Sequence, residues 1–76
     1  MSEELSERVR AVAREATGNA TAADPLQDGG LDSVAMVRLL AGVEEAFGLD
    51  LPPAEITAEN FASVPALTAL VQRLRS

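Results

Sequence analysis

The chain has 76 residues, 12 acidic against 6 basic, a net charge of −6, and neither Cys nor His. That length suits one domain spanning residues 1–76, which buries roughly 60% of the surface its unfolded form exposes and is therefore only marginally stable. Without Cys there is no disulfide or Cys-based metal site to staple it, and the acidic surplus repels nucleic-acid phosphates and anionic membranes while favouring partners with basic patches.

The first helix is predicted from about Glu3 to Thr17. Ser2 can cap it, and Glu3 and Glu4 suit the positive end of its dipole. Leu5, Val9, Val12 and Ala16 recur at helical spacing as one apolar stripe, and Gly18 follows as the left-handed terminator. A loop from about Asn19 to Asp32 comes next, with turn signals at Asp24-Pro25 and Asp28-Gly29-Gly30. Leu26 and Leu31 are its expected anchors. So long a loop in so small a domain is more often functional than idle.

The second helix is predicted from about Ser33 to Phe47, capped by Asp32 or Ser33 and ended by Gly48. Met36, Leu39, Leu40, Val43 and Phe47 share the face expected to be core. The opposite face carries Val34, Arg38, Ala41 and Glu45, with Val37 and Glu44 on its flank. Aliphatic residues therefore sit among charged ones on the side away from the core. After Leu49, Leu51 and Pro52-Pro53, Ile56 is expected to plug the core. A short third helix is predicted from Thr57 to Ala62 with Phe61 inward. Ser63 caps a last helix, whose first turn tolerates Pro65 and whose Leu67, Leu70, Val71 and Leu74 repeat at helical spacing. No segment alternates like a strand. The expected fold is all-α, a four-helix bundle of three main helices and one short one.

The chemical inventory excludes most catalysis. There is no His, Cys, Lys, Tyr or Trp, so no serine has a base beside it, and Schiff-base and thiol nucleophiles are absent. Glu44 and Glu45 are adjacent in sequence and point apart on a helix, so they do not form an acid/base pair. Gly29-Gly30 lacks the Lys and spacing of a phosphate loop, and Asp24, Asp28 and Asp32 lack the spacing of a calcium loop. No catalytic residue and no metal site is expected. A hydrophobic fraction of 47% argues against disorder. No apolar run approaches a membrane span, and MSEELSER has no secretory h-region, so a cytoplasmic protein is expected. It is expected to be monomeric, because the core uses up most apolar residues.

The segment Gly29-Gly30-Leu31-Asp32-Ser33-Val34 places a serine where a long loop becomes a helix N-terminus. Free N–H groups and the dipole there favour negative charge, so a phosphodiester on Ser33 would sit in a favourable field. The competing reading of Ser33 is a plain helix cap.

This segment resembles the attachment site of acyl carrier proteins, where Asp-Ser-Leu opens the second helix. The resemblance extends over nearly the whole chain. It takes in the length, the acidity, the long first loop, Phe47, Leu51-Pro52, and the stretch from Ile56 to Val64, which is similar to freestanding carriers of natural-product and cell-wall pathways. It implies an acyl carrier protein that is no enzyme. A phosphopantetheinyl transferase would move 4′-phosphopantetheine from coenzyme A onto Ser33, with Mg²⁺ supplied in the transferase complex and Asp32 contacting that metal or the transferase. The arm's thiol would hold an acyl group as a thioester, delivered by acyl-loading (adenylating or acyltransferase) enzymes and taken up by synthase or transferase domains with basic docking patches. Val34, Val37, Arg38, Ala41, Glu44 and Glu45 would form the partner-binding face, and Met36 and Leu40 either plain core or the lining of a chain shelter.

Arg38 falls where many fatty-acid carriers have an acidic residue, and Pro53 and Thr57 stand where carboxylates are common. Both departures point to a pathway-specific carrier of polyketide or lipopeptide type. Peptidyl carriers usually place one residue between Gly-Gly and Ser, whereas here Leu31 and Asp32 intervene. That favours an acyl or D-alanyl carrier over a peptidyl one, with a D-alanyl or aminoacyl/peptidyl carrier kept as the alternative to an acyl carrier. An unmodified acidic adaptor, binding a basic protein through the second helix, is the rival of another class.

Overall fold

The structure is a computed structural model, and it describes residues 3–27 and 31–75. Three α-helices run in chain order: α1 (Glu3–Thr17), α2 (Ser33–Phe47) and α3 (Val64–Arg75), with a 3₁₀ turn at Pro53–Glu55 between the last two. No strand occurs among the described residues. The all-α expectation therefore holds.

Each main helix follows from its pattern. In α1, Leu5, Val9, Ala13 and Ala16 are buried. Ala13 takes a place in the stripe where Val12 was expected. Val12 packs half-buried against the same core, and its Cγ1 would lie 2.9 Å from a Cβ built on Gly42 of α2. A β-branched residue and a glycine thus meet in a contact between the two helices that leaves no room for a further carbon. On α2 the deepest residues are Ala35, Leu39 and Val43, while Met36, Leu40 and Phe47 are half-buried against the same core. On α3, Leu67, Leu70 and Val71 are fully buried and Leu74 partly so. Thr68 is buried among them. Its hydroxyl donates to the Val64 carbonyl at 2.7 Å, so its polar atom carries no desolvation debt.

The helix ends are closed by backbone geometry that glycine permits. Gly18 and Gly48 have φ of 74° and 63°. Behind them Asn19 N donates to Arg14 O at 3.1 Å and Leu49 N to Glu44 O at 3.3 Å, the six-to-one bond that satisfies the last carbonyls. The expected cap at Ser2 lies outside the described residues.

The short helix expected at Thr57–Ala62 does not form, so a four-helix bundle is not confirmed; the short helical element lies at Pro53–Glu55 instead. That stretch makes turns, with Phe61 N donating to Thr57 O at 3.2 Å and Ala62 N to Glu59 O at 3.4 Å. The Thr57 hydroxyl accepts Asn60 N at 3.1 Å, and the Asn60 amide donates back to the Glu55 carbonyl at 2.8 Å. The first is the bond an N-cap makes, yet only Phe61 N closes a four-residue turn before Ala62 N bonds three residues back, so the segment stops after a single turn. Phe61 is nonetheless buried, as expected, and Ile56 packs against the core from a half-buried position.

Candidate functional site: the entrance to α2

The loop before α2 is held at several points. Pro25 and Leu26 are buried, and Leu31 packs half-buried against the core. Asp24 does more than initiate a turn. Its Oδ1 accepts Leu26 N and Gln27 N, each at 3.2 Å, and its two oxygens accept Val64 N at 3.1 and 3.0 Å. It therefore takes the first free N–H of α3 from across the molecule, beside the expected cap Ser63, whose Oγ accepts Ala66 N at 3.2 Å. From α1, Arg10 Nε donates to Ala23 O at 2.8 Å and Arg14 Nε to Ala22 O at 2.9 Å. Asp24-Pro25 is a recognisable turn signal, but nothing in the sequence pairs it with Val64. Asp28, Gly29 and Gly30 lie outside the described residues.

At the helix entrance the two capping candidates separate. Asp32 is the N-cap, with extended backbone at φ −92°, ψ −173°. Its Oδ1 accepts Ala35 N at 2.8 Å, and its carbonyl accepts Met36 N at 2.8 Å. Ser33 is the first helical residue and is exposed. Its Oγ makes no hydrogen bond to any described residue. The cap is thus supplied by Asp32, and the hydroxyl of Ser33 is left for something else.

Along α2 the outward face is as the helical wheel predicts. Val34 and Val37 are 59% and 66% exposed, the large apolar side chains most open to solvent among the described residues. Arg38, Ala41 and Glu45 are exposed as well. Arg38, Ala41, Gly42 and Glu45 form one wall of a groove whose other wall is Val12, Glu15 and Ala16 of α1. Glu44 differs from its neighbours. It is half-buried, and its Oε2 accepts Leu51 N at 3.0 Å, tying the chain after α2 back to the helix. Among the described residues no cluster of three or more acidic, His or Cys side chains could hold a metal ion. None of the described helices is long and apolar enough to cross a membrane.

Comparison with known proteins gives the chain a family. Residues 3–71 match the family model described as the phosphopantetheine attachment site. Two relatives in Bradyrhizobium diazoefficiens are similar. Aminoacyl carrier protein 1 is 48% identical over 58 residues, covering 70% of this chain and 64% of the relative. Aminoacyl carrier protein 2 is 50% identical over 46 residues, covering 60% of this chain and 52% of the relative. The chain thus spans between about half and two thirds of the curated relatives it matches. No solved structure matches it.

Proposed function

Since the chain belongs to the phosphopantetheine attachment-site family, a family of carriers rather than catalysts whose cofactor is covalent 4′-phosphopantetheine, we propose that Ser33 is the attachment residue and that the cargo is an aminoacyl group. One observation carries the first half: the Ser33 hydroxyl is exposed and unbonded to described residues at the first position of α2, because Asp32 performs the capping. A helix N-terminus favours the phosphodiester that would form there.

The residues present fit that group. The hydroxyl is reachable, and no His, Lys or Cys of the chain competes for the activated phosphate or takes the serine proton. The transferase must therefore supply the base. In that step Ser33 Oγ forms a bond to the phosphorus nearest pantetheine, the pyrophosphate bond of coenzyme A breaks, and the nucleotide portion leaves as 3′,5′-ADP. The attached arm supplies a terminal thiol for thioester chemistry. One carboxylate oxygen of Asp32 is engaged in the cap. The other can face the transferase or its Mg²⁺.

The aminoacyl assignment is supported by the names of the two Bradyrhizobium relatives. It replaces the polyketide or lipopeptide cargo as the leading reading, within the same carrier mechanism. A transferase, an amino-acid-activating loading enzyme and an acceptor enzyme are the partners this reading requires. Incubation with coenzyme A and a broad-specificity phosphopantetheinyl transferase is expected to add the mass of one phosphopantetheine group to the wild type and none to Ser33→Ala. No gain on the wild type, or an equal gain on the variant, removes the assignment and favours an unmodified acidic adaptor.

A further inference from the structure

The arginines of the chain are not used alike. Arg8 donates to Ala46 O at 3.0 Å and stacks 4.7 Å from the Phe47 ring centre. Arg10 and Arg14 hold loop carbonyls, and Arg73 pairs with Glu55 at 3.0 Å. Arg38 is exposed and makes no hydrogen bond or ion pair to any described residue. It shares a groove with Glu15 and Glu45, yet pairs with neither. It sits one helical turn beyond Val34 and next to Val37, in the middle of the exposed apolar stripe.

We propose that Arg38 is a specificity-determining contact and that the enzyme loading the arm meets it with a carboxylate, beside an apolar patch that covers Val34 and Val37. The inference rests on the aminoacyl carrier reading above and adds the charge pattern of the partner. Charge complementarity argues for it. A uniformly basic partner surface would bury the Arg38 guanidinium against like charge, which is costly. A surface with an acid opposite Arg38 and a base opposite Glu45 matches the ladder as it stands. Guanidinium is weakly hydrated and offers a planar fork to a carboxylate, so it suits a contact that is desolvated on docking. The opposing role would be internal: Arg38 lowers the negative field of Glu15 and Glu45 without touching the partner. The two roles predict opposite signs when the charge is removed.

The test uses the holo chain and an adenylate-forming amino-acid ligase that loads the wild type. KM and kcat for the carrier are measured for wild type, Arg38→Ala and Arg38→Glu, with circular dichroism confirming the fold of each. Direct pairing predicts that Arg38→Ala raises KM about tenfold or more, and Arg38→Glu further, with kcat within about twofold, as loss of one partner of a desolvated charge pair chiefly speeds dissociation of the complex. Reversing the facing enzyme carboxylate to Lys should restore loading of Arg38→Glu. An unchanged or lower KM for Arg38→Ala overturns the proposal and leaves the aminoacyl reading intact. A wild-type holo chain that no amino-acid ligase loads overturns the aminoacyl reading, and this inference falls with it.

Discussion

At the scale of single residues, Asp32 has one observed job and one proposed. Its Oδ1 closes the first turn of α2 by accepting Ala35 N at 2.8 Å, and its charge adjoins the residue proposed here for modification. Asp32→Ala removes both. Loss of an N-cap costs about 1 kcal/mol, which in a domain this small lowers Tm by roughly 4–8 °C. Asp32→Asn keeps an oxygen acceptor and removes the charge, so its Tm should fall by only a fraction of that. If the carboxylate contacts the transferase or its Mg²⁺, both variants should be modified more slowly, in spite of the near-normal fold of the asparagine variant. Modification of Asp32→Asn at the wild-type rate would leave Asp32 as a cap alone. The measurement is a time course of intact mass beside a thermal melt.

At the scale of elements, the close contact of α1 and α2 depends on Gly42. Glycine inside a helix is unfavourable by about 1 kcal/mol relative to alanine, so Gly42→Ala would stabilise α2 if there were room. There is none: the new Cβ would lie 2.9 Å from Val12 Cγ1, on a side chain with little freedom at χ1. Overpacking of this kind costs roughly 1–3 kcal/mol and should outweigh the gain. Gly42→Ala is expected to lower Tm. The same change in a Val12→Ala background should be neutral or stabilising relative to Val12→Ala alone. Equal effects in both backgrounds would show that the two helices do not meet there.

This contact also shows where sequence reasoning stops. The limits of α1 and α2 were legible because amphipathic periodicity and a left-handed glycine are local signals, and the exposed stripe from Val34 to Glu45 followed from the same wheel. The exposed serine was legible as a location. Its freedom from capping was not, since Asp32 and Ser33 are equally good caps on paper. Ala13 and Gly42 were missed because small residues gain importance only from what approaches them. The reach of Asp24 to Val64 is a long-range bond with no periodic signature. The segment from Thr57 to Ala62 has a helix-like start, with Thr57 accepting Asn60 N as a cap does, and it stops after one turn, where Ala62 N bonds only three residues back to Glu59.

At the scale of the whole molecule, charge is distributed so that the fold opposes itself. Twelve carboxylates face six arginines, and three of those arginines are engaged with backbone carbonyls rather than acids. Among the described residues the single ion pair is Arg73 with Glu55. The molecule measures 29 × 26 × 21 Å. At about 0.01 M salt the screening length is roughly 30 Å, so every carboxylate senses every other across the full width. At about 0.15 M it is roughly 8 Å, and only near neighbours remain coupled. Self-repulsion in the compact state is thereby relieved more than in the expanded chain, whose charges are already far apart. Tm should therefore rise by several degrees between these two salt concentrations. Because the described residues offer no cluster that could chelate a cation, the rise should track ionic strength rather than ion identity. NaCl and MgCl₂ at matched ionic strength should then give superimposable melts of the apo chain. A flat response to NaCl would mean that the negative charges are not in conflict. A much larger rise with MgCl₂ would mean that carboxylates converge on the ion.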